Sequence, residues 1–187
     1  MKSLHYLPAQ LMTLALLAFS TVTRAEHIVE VVVFSQPGAP VVAGAPPDHD
    51  WDRNAVSLQD TTRQDVRRID KSRYTLDSQA EKLAANGYDI KLHQAWIQPA
   101  DAGMTVAVHS DTNIPTINQG LTYPVQGLVT IKDEPLTAAV SFWLNKVNGD
   151  QGELISERLH MTRRLRLNEI HYLDHKSMGM LIQISRP

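Results

Sequence analysis

Arg163-Arg164-Leu165-Arg166-Leu167-Asn168-Glu169-Ile170-His171-Tyr172-Leu173-Asp174-His175, running on into Met178-Gly179-Met180-Leu181-Ile182-Gln183-Ile184, is the most informative stretch of the chain for its architecture. Leu159, Met161, Leu165 and Leu167 share one side of an extended segment, interrupted by Arg163. Arg158, His160, Thr162, Arg164 and Arg166 share the other. A period of two is that of a half-buried strand. Met178, Met180, Ile182 and Ile184 repeat it. The reading is a closing hairpin of two strands, whose link carries Glu169, His171, Tyr172, Asp174 and His175.

Upstream, His27-Ile28-Val29-Glu30-Val31-Val32-Val33-Phe34 is a β-branched run, apolar on both sides near its end. A central strand has that character. Glu30 is its misfit, and an acid there is expected to face an edge or to be paired rather than to be a functional acid. Between Ser35 and about Asp50, Pro37, Gly38, Pro40, Gly44, Pro46 and Pro47 forbid regular structure, so residues 35–60 are expected to be a long loop region. Trp51 follows among acids, as a pin holding the loop to the body or as a stacking platform for a sugar. Residues 60–73 are dense in charge; Val66 and Ile69, three apart, allow a short helix there.

Leu76–Asn86 reads as the main helix, with Thr75 or Asp77 to cap it, a stripe of Leu76, Ala80, Leu83 and Ala84, and Gly87 to stop it. Strands are expected over Tyr88–Gln98, with Ile90, Leu92 and Trp96 on one side, and over Met104–His109, Gln126–Lys132 and Thr137–Lys146. Turns are read at Asp101-Ala102-Gly103, at Asp133-Glu134-Pro135 and over residues 148–152. Short links between strands make antiparallel neighbours. The expected fold is α+β: a single domain with a twisted antiparallel sheet and one main helix packed on a face.

Residues 1–25 read as a signal peptide. Lys2 precedes an apolar core, Leu11 to Phe19, too short to span a bilayer, and Thr23-Arg24-Ala25 presents small residues at a cut. Removing them from the 187 residues leaves 162, a single domain over 26–187. Lys2 and Arg24 go with the leader, so 16 basic residues face 20 acids, a net charge of −4. No global positive field draws nucleic acid, and no later run spans a membrane. There is no cysteine, which excludes disulfides, cysteine-ligated metals and thiol nucleophiles.

Chemistry concentrates in the terminal stretch. His171 and His175 stand four apart, as zinc ligands do on a helix, but Tyr172-Leu173-Asp174 lacks the glutamate of the HEXXH motif and the context is extended. A site supplemented by His93, His109 or His160 would make the chain a histidine-ligated periplasmic metalloenzyme. There is no nucleophile elbow and no phosphate or dinucleotide loop. The plainer reading is a hydrogen-bonded turn in which Asp174 caps amides and Arg163 or Arg164 pairs Glu169. A third is ligand recognition: arginine forks suit carboxylates, and Trp96, Trp143 and Tyr172 offer flat faces to sugar rings.

Taken together, the chain resembles the CsiV family. The matching segments are Val29-Glu30-Val31-Val32-Val33-Phe34; Gly87-Tyr88 with Leu92-His93-Gln94-Ala95-Trp96-Ile97-Gln98-Pro99; Gly127-Leu128-Val129-Thr130-Ile131; and, most specifically, Arg163 to His175 with Gly179-Met180-Leu181-Ile182. They cover nearly all of the chain after the leader. It departs from the pattern at Ser141-Phe142-Trp143-Leu144, which lacks a basic residue and an imidazole, and at Lys176, where proline is usual.

The resemblance implies a non-enzymatic periplasmic protein, without a cofactor, that binds peptidoglycan. It implies support of cell-wall synthesis through the outer-membrane lipoprotein activator of a class A penicillin-binding protein. A purely protein-binding envelope adaptor is the other non-enzymatic reading. The resemblance brings no binding residues with it. The ligand candidates therefore rest on chemistry: Arg163, Arg164, Arg166, Glu169, His171, Tyr172, Asp174, His175 and Trp96.

Overall fold

A computed structural model describes residues 25–40, 42–100, 103–114, 121–148 and 153–187. The expected signal peptide (but for Ala25), two of the three residues of the turn expected at Asp101-Ala102-Gly103 and most of the turn expected at 148–152 lie outside them. The chain runs through β1 (Glu26–Ser35), β2 (Val56–Ser57), β3 (Arg67–Arg68), a 3-10 turn (Lys71–Arg73), α1 (Asp77–Ala85) and β4 (Asp89–Pro99). It continues through β5 (Thr105–His109), β6 (Val125–Lys132), β7 (Thr137–Asn148), β8 (Glu153–Arg164), β9 (Ile170–His175) and β10 (Met178–Ser185).

The α+β class, the main helix and the antiparallel pairing are as expected. The strands divide, however, into two five-stranded sheets rather than one. The first has the order β3-β4-β1-β10-β9 and the second β2-β5-β6-β7-β8. All named pairs are antiparallel except the short β2–β5 pair, which is parallel. One apolar cluster joins the two sheets: Val29, Val31 and Val33 of β1 and Met180, Ile182 and Ile184 of β10 meet Val129 and Ile131 of β6 and Val140, Phe142 and Leu144 of β7. Alternation supplies these inner faces.

The terminal hairpin differs from its sequence reading. β8 pairs with β7 along its whole length, Thr137 opposite Arg164 through Asn148 opposite Glu153. The supposed link, Ile170–His175, is itself the strand that pairs with β10. Residues 165–169 are thus a crossover from the second sheet to the first. Leu165 N donates to Leu136 O at 2.9 Å as the chain leaves β8. At the far end Asn168 takes a left-handed φ of 62° and its N–H donates to Ile184 O at 2.7 Å.

α1 packs Leu76 and Ala80 on the outer face of the first sheet, against Val32 and Phe34; Ala84 is exposed. Neither Thr75 nor Asp77 caps it. The Glu30 carboxylate does, accepting from Thr75 N (2.8 Å), Thr75 Oγ1 (2.7 Å) and Leu76 N (2.9 Å). Of the two expected settings for Glu30, edge-facing or paired, the paired one is found, with the carboxylate buried. Burial alone would raise its pKa, but the bonds from His93, Thr75 and Leu76 outweigh it and hold the carboxyl below its ordinary range. Gly87, at φ 86°, ends the helix as the sequence predicts.

Two smaller readings are corrected. No helix forms around Val66 and Ile69; both are buried beside β3, which pairs with β4. Ile90 does not share a face with Leu92, because the register slips between Val33 and Phe34 and turns Ile90 onto the helix-covered side. Trp51 does pin its loop: its ring meets Trp143 edge-on at 6.1 Å.

Candidate functional site

Where β8 crosses to β9 the surface opens into a cleft of about 940 Å³. Arg163 and Arg164 end β8, Arg166 and Glu169 belong to the crossover, and His171 opens the inward row of β9. Pro135 and Leu136, from the turn between β6 and β7, complete the lining. Five of the nine sequence candidates therefore gather here: Arg163, Arg164, Arg166, Glu169 and His171. The gathering follows from topology, since the crossover folds back against the end of the strand it leaves.

The charges are unevenly matched. Arg166 Nη1 lies 3.5 Å from Glu169 Oε1, an exposed pair. Arg163 and Arg164, both exposed, have no ion pair or side-chain hydrogen bond among the described residues. The backbone N–H of Arg166 donates to His171 Nε2 at 3.0 Å, so Nδ1 carries the ring proton and this nitrogen cannot also act as a ligand or base. Glu169 offsets one of the three guanidinium charges, so this group of side chains keeps a net positive charge. The cleft is suited to an anion bearing planar oxygens.

The other four candidates lie elsewhere. Tyr172 and Asp174 face outward on the first sheet. The Tyr172 hydroxyl donates to Asp174 Oδ1 at 2.8 Å, and its ring stacks on Phe34 at 6.1 Å. Burial first, then the bond to and the charge of Asp174, push the phenol up to about 12. His175 sits at the other end of β9, its Nδ1 2.8 Å from Glu157 Oε1. Trp96 is not a surface residue at all: its exposure is 0% and Nε1 donates to Gln98 Oε1 at 2.7 Å inside the core. Its expected role as a ligand platform is corrected on that ground. It lies on the inward row of β4 with Leu92.

His171 and His175 do not converge, being held by different partners at the two ends of β9. Among the described residues no three His, Asp or Glu side chains form a group that could hold a metal ion.

Sequence reasoning missed Glu157, a carboxylate at 0% exposure that acts as a hub. It accepts from Val42 N (2.9 Å), Ser177 N (3.1 Å) and the Ser177 hydroxyl, and it holds His175. Burial raises its pKa, and the bonds from Ser177, Val42 and His175 more than reverse the shift, leaving it lowered. The signal was present: Glu157 stands in the apolar row that runs through Leu159 and Met161.

A two-sheet domain with a helical cover and an open basic cleft at one end is a binding module in form. The family model for the peptidoglycan-binding protein CsiV matches residues 7–187. The chain belongs to that family, as the terminal motif implied. No curated protein and no solved structure matches it.

Proposed function

We propose that the protein is a non-enzymatic, periplasmic peptidoglycan-binding protein whose arginine cleft takes the free carboxylates of the wall's stem peptides. The observation that carries the site is the pair Arg163 and Arg164, two guanidinium groups with no ion pair among the described residues, beside an open cleft. Each can meet a carboxylate with two parallel hydrogen bonds, and such charge-assisted bonds are the strong kind. Membership of the family supports the wall as ligand. In this reading a cleaved leader delivers the chain, and wall contact supports peptidoglycan synthesis together with the outer-membrane lipoprotein activator of a class A penicillin-binding protein.

Co-sedimentation of the purified protein with isolated sacculi tests the reading. The wild type should pellet at low salt, and Arg163→Ala/Arg164→Ala, still folded, should pellet roughly tenfold less well or worse. A wild type that stays in the supernatant overturns wall binding. A double variant that pellets like the wild type overturns the cleft as its site. Purified lipoprotein activator should be retained on immobilised protein; no retention removes the partnership.

A further inference from the structure

We infer that a second pocket, bounded by Trp51, His109 and Tyr123, is a saccharide subsite for the glycan strand. The inference rests on the peptidoglycan reading above. The pocket is a cavity of about 410 Å³ on the outer side of the second sheet, with Asp52, Ser57 and Asp60 also in its lining. That is within the range of small-ligand sites, roughly 300–1,000 Å³. It lies at the Val125 end of β6, whereas the arginine cleft lies at the Lys132 end. Eight residues at about 3.3 Å each separate them by roughly 25 Å, so they are distinct sites.

Its aromatic groups are fixed in place without being buried. Trp51 stands edge-on to Trp143, which in turn lies under the Arg158 guanidinium at 5.0 Å. His109 and Tyr123 stack at 3.6 Å with ring planes 20° apart. His109 Nδ1 lies 2.8 Å from Ser110 O and must donate to it, leaving Nε2 as an acceptor. Rigid, half-exposed rings are platforms on which a pyranose can lay its C–H face.

The polar groups complete the case. The Tyr123 hydroxyl and the Asp52 carboxylate have no hydrogen-bond partner among the described residues. Among the described residues the Asp60 carboxylate accepts from the Ser57 hydroxyl alone, whose oxygen in turn accepts from the Asp60 backbone N–H. Burial, then the charges of Asp60 and Asp52, keep the Tyr123 phenol protonated above its ordinary range, so it remains a donor. Two carboxylates repel the stem-peptide acids that the other cleft attracts. What fits both the flat faces and the acceptors is a neutral polyol ring.

The test uses N-acetylglucosamine tetramer with the purified protein, followed by tryptophan fluorescence and calorimetry. The wild type should bind saturably. Trp51→Ala should weaken binding tenfold or more. Asp52→Asn and Tyr123→Phe, which leave the packing intact, should weaken it about threefold to tenfold. Arg163→Ala/Arg164→Ala should bind the tetramer as the wild type does. No binding by folded wild type overturns the subsite, as does unchanged binding in all three pocket variants, or a preference for a diamine such as cadaverine over the sugar. If the wild type pellets with sacculi yet ignores the tetramer, the subsite alone fails. If it does neither, wall binding fails as well.

Discussion

Gly127 shows how little freedom a single position has in this sandwich. It faces Phe142 across the β6–β7 ladder, and a methyl group built on it would overlap the Phe142 ring. The ring occupies the space a side chain would need. Gly127→Ala should therefore lower stability by about 1–3 kcal/mol, read as a lower urea midpoint at unchanged slope. Gly179 is similar, its added Cβ falling 2.7 Å from Phe34 and 2.9 Å from Tyr172. Glu157 makes a different kind of demand. Its folded pKa is lowered, so it adds stability above the unfolded carboxyl value near 4.5 and loses that contribution as pH falls through the folded one. Glu157→Gln should melt earlier than the wild type at pH 7, by roughly 1–3 kcal/mol, and the gap should narrow toward pH 3. A gap that is constant with pH would show that packing, not charge, is what the carboxylate provides.

Among the elements, α1 is the one whose existence was legible and whose anchoring was not. Its stripe of Leu76 and Ala80 is local information, but its cap comes from Glu30, 46 residues before Leu76. Glu30→Ala should accelerate amide exchange at the start of α1 far more than in β1, and a uniform acceleration would refute the capping role. β1 was legible for a physical reason: a strand apolar on both faces has to lie between other layers, and β1 is covered by α1 outside and the second sheet inside. Partner choice was not legible. The alternation along Leu159, Met161 and Leu165 says which side is buried, but any strand of matching phase can complete the ladder. Proximity along the chain gave β8 to β7. Trp96 suggests a platform by residue type alone, whereas its phase, shared with Leu92, places it inward. The arginines were legible as chemistry, whereas their grouping with Pro135 depends on a crossover that alternation cannot reveal.

For the whole molecule the charge distribution matters more than the total. The whole chain carries a net charge of −2, yet the cleft at the end of β8 is lined by three arginines, so attraction to an acidic polymer is local. Sedimentation with sacculi should fall steeply as salt rises from about 0.05 to 0.5 M, because exposed charges are screened over roughly 10 Å at 0.1 M. Arg163→Ala/Arg164→Ala should flatten that dependence; an equally steep fall in the variant would place the attraction elsewhere.

The position of β1 has a further consequence for the same molecule. It is the first strand of the fold, yet it lies between β4 and β10, with Ile28 opposite Ser185 and Ser35 opposite Met178. One edge of β1 thus waits for the last strand to be delivered. A chain synthesised N-terminus first cannot close this sheet until residues 178–185 have followed. Pairing so distant in sequence is also slow to form. The strand order thus makes the first strand to be synthesised wait for the last before its sheet is complete.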